Sequence, residues 1–74
     1  MQDYYYKVVI EAQREGGFTA YVPTLPGCVS EGENYQETVD NITEALELYL
    51  ETLKERKQRI KPDNIRFSEI CVSL

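Results

Sequence analysis

Six carboxylates, Glu37, Asp40, Glu44, Glu47, Glu51 and Glu55, recur at spacings of 3, 4, 3, 4 and 4 residues. That interval stacks side chains on one face of an α-helix, and at 100° per residue the six fill about 80° of arc. Neighbouring like charges at these spacings destabilise a helix by about 0.2–0.5 kcal/mol each before screening, so local stability does not account for the ridge. Two readings remain open, a solvated face that promotes solubility and a docking surface for a basic partner. Solvated faces are usually mixed in sign, whereas only Lys54 interrupts this one. Leu48 stands beside the ridge and out of phase with the apolar stripe, where it serves as an anchor in the docking reading. Carboxylates hold Mg²⁺ for phosphoryl transfer only when they converge in a cleft, and a ridge on a convex helix points them apart. Glu31 and Glu33, between a strand end and the helix start, come nearer to cleft geometry. Their place favours the positive end of the helix dipole, and they complete the candidate partner-binding set.

The 74-residue chain contains no histidine. This removes Ser-His-Asp and Cys-His nucleophile systems, histidine general bases and almost every zinc site. Neither a catalytic centre, a metal site nor a cofactor site is expected. The formal net charge is −5, from 8 Lys and Arg against 13 Asp and Glu. Binding to phosphate runs on Lys and Arg clusters, so direct contact with nucleic acid or an anionic membrane is not expected. No run approaches the roughly 18 apolar residues that span a bilayer, and the start MQDYYYKVV lacks the features of a secretion signal. The expected location is the cytosol, where Cys28 and Cys71 are read as two reduced, partly buried thiols.

The elements that must position these residues follow from periodicity. Over residues 4–13, Tyr4, Tyr6, Val8, Ile10 and Ala12 alternate with Lys7, Glu11 and Gln13, the pattern of a half-buried strand. Arg14-Glu15-Gly16-Gly17 supplies a tight turn, and Phe18, Ala20 and Val22 continue the alternation, which predicts a hairpin. Pro23 cannot donate to a ladder, so the second strand ends there. Thr24 to Gly27 forms a rigid loop, and a short third strand over 28–31 is closed by Gly32. Pro23 and Pro26 preset φ, Leu25 plugs one end of the core, and Gly27 permits the turn back. Asn34 followed three residues later by Glu37 is a capping-box pattern. From it a helix runs to about Lys57, with Tyr35, Thr38, Val39, Ile42, Ala45, Leu46, Tyr49, Leu50 and Leu53 on its core face and Pro62 forbidding continuation. A last strand is expected over 65–74, with Ile70, Val72 and Leu74 on one face and Ile65 and Phe67 on the other. The sum is an α+β domain, βββαβ, with a mostly antiparallel sheet covered by one helix on one face. A chain this short makes a single layer of core, and the uncovered face carries the tyrosines and Val9, so a second chain is expected to cover it.

The stretch from Tyr21 to Gly32, YVPTLPGCVSEG, followed by Thr38, Asn41-Ile42 and Glu44-Ala45, resembles the HicB family of antitoxins. The N-terminal domain of that family shows a V-P-x-L-P-G-C-x-S-x-G segment and then a helix bearing N-I-x-E-A. The resemblance covers about residues 4–55. It implies a βββαβ domain of partial RNase H-like fold that binds and inhibits HicA, a small basic mRNA-cleaving toxin. It also implies self-association, as a dimer or tetramer. In the resemblance the loop residues Pro23, Leu25, Pro26, Gly27, Cys28 and Gly32 are a signature of the fold, and they are read as scaffold. Full-length relatives usually continue into a DNA-binding domain, whereas this sequence stops at Leu74. The expectation is therefore one domain over 1–74 with no operator-binding part. Two alternatives stand beside the antitoxin reading: a homo-oligomeric regulatory or structural binding protein without a toxin partner, and an enzyme with a degenerate RNase H-like site that cleaves RNA with Mg²⁺.

Overall fold

The computed structural model of the chain describes residues 4–60. The strand expected over 65–74, the Pro62 stop and Cys71 lie outside the described residues. Among the described residues, three strands, β1 (Val9–Ala12), β2 (Phe18–Tyr21) and β3 (Val29–Gly32), precede one helix, α1 (Tyr35–Glu55). The sheet is antiparallel and open, in the order β1-β2-β3. This is the α+β arrangement read from the sequence.

The first hairpin is set by its two glycines. Gly16 and Gly17 take φ of 105° and 79°, in the region open to residues without a Cβ. The Gly16 N–H donates to the Gln13 carbonyl at 3.1 Å, and the Gln13 N–H to the Gly17 carbonyl at 2.9 Å. Ile10 pairs with Ala20 and Val9 with Tyr21. β1 is shorter than the run expected over 4–13. Its pairing with β2 begins at Val9, opposite Tyr21, since Pro23 farther on has no N–H to offer. The inside-outside alternation still holds before Val9, with Tyr4, Tyr6 and Val8 half-buried and Tyr5 and Lys7 exposed.

Two consecutive turns bring the chain back. The Leu25 N–H donates to the Val22 carbonyl and the Cys28 N–H to the Leu25 carbonyl, each at 3.0 Å. Pro26 followed by Gly27 at φ 84° has the residue order of a type II turn. Leu25 packs against the core, as the loop reading expects. β3 starts at Val29 and includes Gly32, one residue later than the expected span, because Cys28 still belongs to the turn.

Ala20, Val22, Cys28 and Ile42 are the buried apolar centre, with Tyr6, Val8, Ile10, Ala45, Leu46 and Tyr49 packed around it. The helix lies over β3 and β2. Its buried positions are Thr38 and Ile42. Tyr35, expected on the core face, is 57% exposed. It lies in the first turn beyond the sheet and meets Phe18 edge-on, with ring centroids 6.1 Å apart. Ala12, beside the hairpin turn, is also exposed rather than inside.

Candidate partner-binding surface

The helix that carries the acidic ridge is fixed at both ends and along its length. At the start, the Glu37 N–H donates to Asn34 Oδ1 at 2.8 Å, and the Glu37 carboxylate reaches back to the Glu33 N–H at 3.3 Å. The reach is one residue longer than in the simple capping box. Gly32 sits so close to the helix that a Cβ placed on it would stand 2.6 Å from Thr38 Oγ1 and 2.7 Å from Thr38 N. Farther on, Asn41 Nδ2 donates to the Glu31 carbonyl at 2.8 Å. Asn41 was visible in the sequence only as part of a motif, and this contact gives it a physical task.

Glu37, Asp40, Glu44, Glu47, Glu51 and Glu55 are all exposed, in one line down the outside of α1. At 1.5 Å per residue the line is about 27 Å long. Gln36 Nε2 donates to Asp40 Oδ1 at 3.0 Å, and none of the six carboxylates is in a salt bridge among the described residues. The ridge is therefore an unneutralised band of negative charge. Glu31 and Glu33 do not continue it. Together with Glu37, Gln13 and Thr19 they border a shallow depression of about 470 Å³ between the hairpin and the helix start. Strand alternation sends the Glu31 side chain to the face turned away from the helix. Of the candidate set, then, Glu31, Glu33 and Glu37 are brought together, while Asp40, Glu44, Glu47, Glu51 and Glu55 recede from them along the helix. Among the described residues, no group of three or more His, Cys, Asp or Glu could hold a metal ion.

Leu48 is 57% exposed. It lines a groove of about 360 Å³ between the second half of the helix and the loop, with Cys28, Ala45, Tyr49, Leu53 and Arg56. Cys28 itself is a free, buried thiol, and burial raises its pKa by disfavouring the thiolate. It supports the groove from inside and is not poised as a nucleophile.

The ladder geometry shows what the sheet leaves open. The Gln13–Gly17 bond makes Glu11–Thr19 and Val9–Tyr21 the hydrogen-bonded pairs between β1 and β2. The Val22 N–H donates to the Cys28 carbonyl at 3.0 Å, so the bonded pairs between β2 and β3 are Ala20–Ser30 and Phe18–Gly32. The N–H and C=O groups of Val29 and Glu31 consequently point away from the sheet. The same parity places Val9, Tyr21 and Val29 in a row on the face opposite the helix, with Val29 62% exposed. The sequence pattern marks that face as uncovered without locating this edge, and of the tyrosines expected there Tyr21 is in the row while Tyr6 packs against the core instead.

Comparison with known proteins bears on the whole surface. Residues 6–70 match the profile of the HicB-like antitoxins of bacterial toxin-antitoxin systems. The chain is 41% identical over 64 residues to UPF0150 protein ssr1765 of Synechocystis, covering 86% of this chain and 81% of that protein. It is 39% identical over 59 residues to UPF0150 protein Ta0767 of Thermoplasma acidophilum, covering 80% and 86%. A UPF0150 protein of Helicobacter pylori is 55% identical over 40 residues, covering 54% and 56%. No solved structure matches the chain.

Proposed function

The chain belongs to the HicB-like antitoxin family of bacterial toxin-antitoxin systems, and from that premise we propose that it sequesters a small, basic, mRNA-cleaving HicA-like toxin. The observation that carries this reading is the unneutralised ridge of Glu37, Asp40, Glu44, Glu47, Glu51 and Glu55 along one 21-residue helix. A line of fixed carboxylates presents to a basic protein what an RNA backbone presents, a regular row of negative charge. It competes for the surface that holds the substrate and steers the encounter. Glu31 and Glu33 extend the acidic field around the helix start, and Leu48 gives the ridge an apolar contact that charge alone cannot supply. The protein acts by binding, in the cytosol, with no chemistry of its own. No helix among the described residues is long and apolar enough to cross a membrane.

The test is association with a HicA-like protein over a salt series. The rate should fall by on the order of tenfold between low and physiological salt, and replacing Glu44, Glu47 and Glu51 together by Gln should remove most of that dependence. A rate indifferent to both changes overturns charge mimicry. A second reading, a homo-oligomeric binding protein (dimer or tetramer) without a toxin partner, draws its support from the exposed row of Val9, Tyr21 and Val29. It gains if no basic partner associates at any salt.

A further inference from the structure

We propose that the open edge of β3 is a strand-addition site for an extended, basic segment of the partner protein. The inference rests on the reading that the partner is basic, and it adds the sheet edge beside the ridge as a second place of contact.

Three main-chain groups at this edge have no partner among the described residues. The Val29 N–H and C=O and the Glu31 N–H point outward and take no part in the sheet's own ladder. The fourth outward group, the Glu31 carbonyl, is occupied by Asn41 Nδ2. Added pairing at Glu31 therefore competes with Asn41 for that carbonyl, whereas Val29 offers both of its groups, which favours a register centred on Val29. A strand docked here sends alternate side chains to opposite faces of the sheet. Both faces have a hollow beside the edge. On the face away from the helix, Tyr21, Val29 and Glu31 help to line a depression of about 490 Å³. On the helix side, the groove of about 360 Å³ bordered by Leu48 and Tyr49 begins at Gly27 and Cys28, immediately before the edge. The first hollow pairs apolar lining with Glu31; in the second, Leu48 on the rim has Glu44 and Glu51 as its helical neighbours, with Arg56 farther along the groove.

The complement of this arrangement is a strand with apolar side chains flanked by Lys or Arg. A second copy of this chain is a poor complement. It would bring its own net charge of −5 and set another Glu31 and Glu33 against the same carboxylates.

The experiment uses the full chain and a synthetic heptapeptide of alternating lysine and valine. Two controls accompany it, the glutamate-valine analogue and versions N-methylated on alternate amides. The lysine peptide should bind, the glutamate peptide should not, and methylation on the edge-facing amides should weaken binding by about tenfold or more, the loss expected for removed hydrogen bonds. The substitution Val29→Pro removes an N–H that no ladder bond uses and should have the same effect with the circular dichroism unchanged. If binding is indifferent to methylation and to Val29→Pro but is lost on changing Glu44, Glu47 and Glu51 to Gln, the edge is excluded while the ridge reading stands. If the glutamate peptide binds equally well, the basic preference fails and takes the basic-partner reading with it. No binding of the lysine peptide up to about 1 mM overturns the proposal. So does sedimentation that finds a dimer in the wild type and a monomer in Val29→Pro, because the edge then belongs to a second copy.

Discussion

Gly32 is where strand and helix come closest, and the reason is one missing carbon. A Cβ there would lie 2.6 Å from Thr38 Oγ1, 2.7 Å from Thr38 N and 3.0 Å from Thr38 Cα. Two of those atoms are backbone, and the third is pinned, since the fully buried Thr38 hydroxyl donates to the Asn34 carbonyl at 2.8 Å. A clash with backbone is relieved only by lifting the first turn of the helix away from β3, which also pulls on the Asn41–Glu31 bond. Gly32→Ala should therefore destabilise the fold by about 2–3 kcal/mol, the upper range for overpacking a filled site. In a domain of this size that lowers the thermal midpoint by on the order of 10 °C. An unchanged urea midpoint would mean that the helix is not seated on the strand at this residue. The sequence marks Gly32 as a strand terminator. Its closeness to Thr38 is tertiary and has no local signature.

The helix was the most legible element, because its signals are local. Asn34 and Glu37 mark its start, and the stripe through Thr38, Ile42, Ala45, Leu46 and Tyr49 marks its inner face. The strands were legible in kind but less so in length. Where β1 begins to pair with β2 depends on where β2 ends, which is a property of the partner and not of the run Tyr4 to Gln13 itself. Asn41 was hidden for a related reason: its acceptor is ten residues earlier in the chain, on the strand beneath. Of the candidate site, the ridge could be read from spacing alone. The open edge of β3 could not, since it depends on hydrogen-bond parity through two hairpins. The helix end carries a testable irregularity. The Gln58 N–H donates to the Leu53 carbonyl at 2.8 Å and the Lys57 N–H to the Lys54 carbonyl at 3.0 Å, the paired bonds of a Schellman motif. Its left-handed position is held by Lys57 at φ 56°, where glycine carries no steric penalty. Lys57→Gly should stabilise the protein by about 1 kcal/mol, read as a higher urea midpoint at unchanged m-value. A loss of stability would show that the Lys57 side chain makes a contact worth more than the backbone strain.

For the molecule as a whole, the ridge sets binding against stability, and this separates a docking surface from a merely solvated one. Asp40, Glu44, Glu47, Glu51 and Glu55 repel one another at every step along the helix, in a chain already at −5. Changing Glu44, Glu47 and Glu51 to Gln removes four such neighbour pairs while keeping helix propensity nearly constant. At low ionic strength the triple variant should therefore be more stable than the wild type by about 1 kcal/mol. Added salt should raise the wild-type thermal midpoint toward that of the variant, because screening does the same work as neutralisation. The same variant should lose the salt-dependent part of toxin association. Opposite signs in one protein, a firmer fold and a slower encounter, are what a charge array kept for a partner requires. If neutralisation weakens the fold instead, the carboxylates are held by favourable contacts within the chain, and the ridge is part of the scaffold.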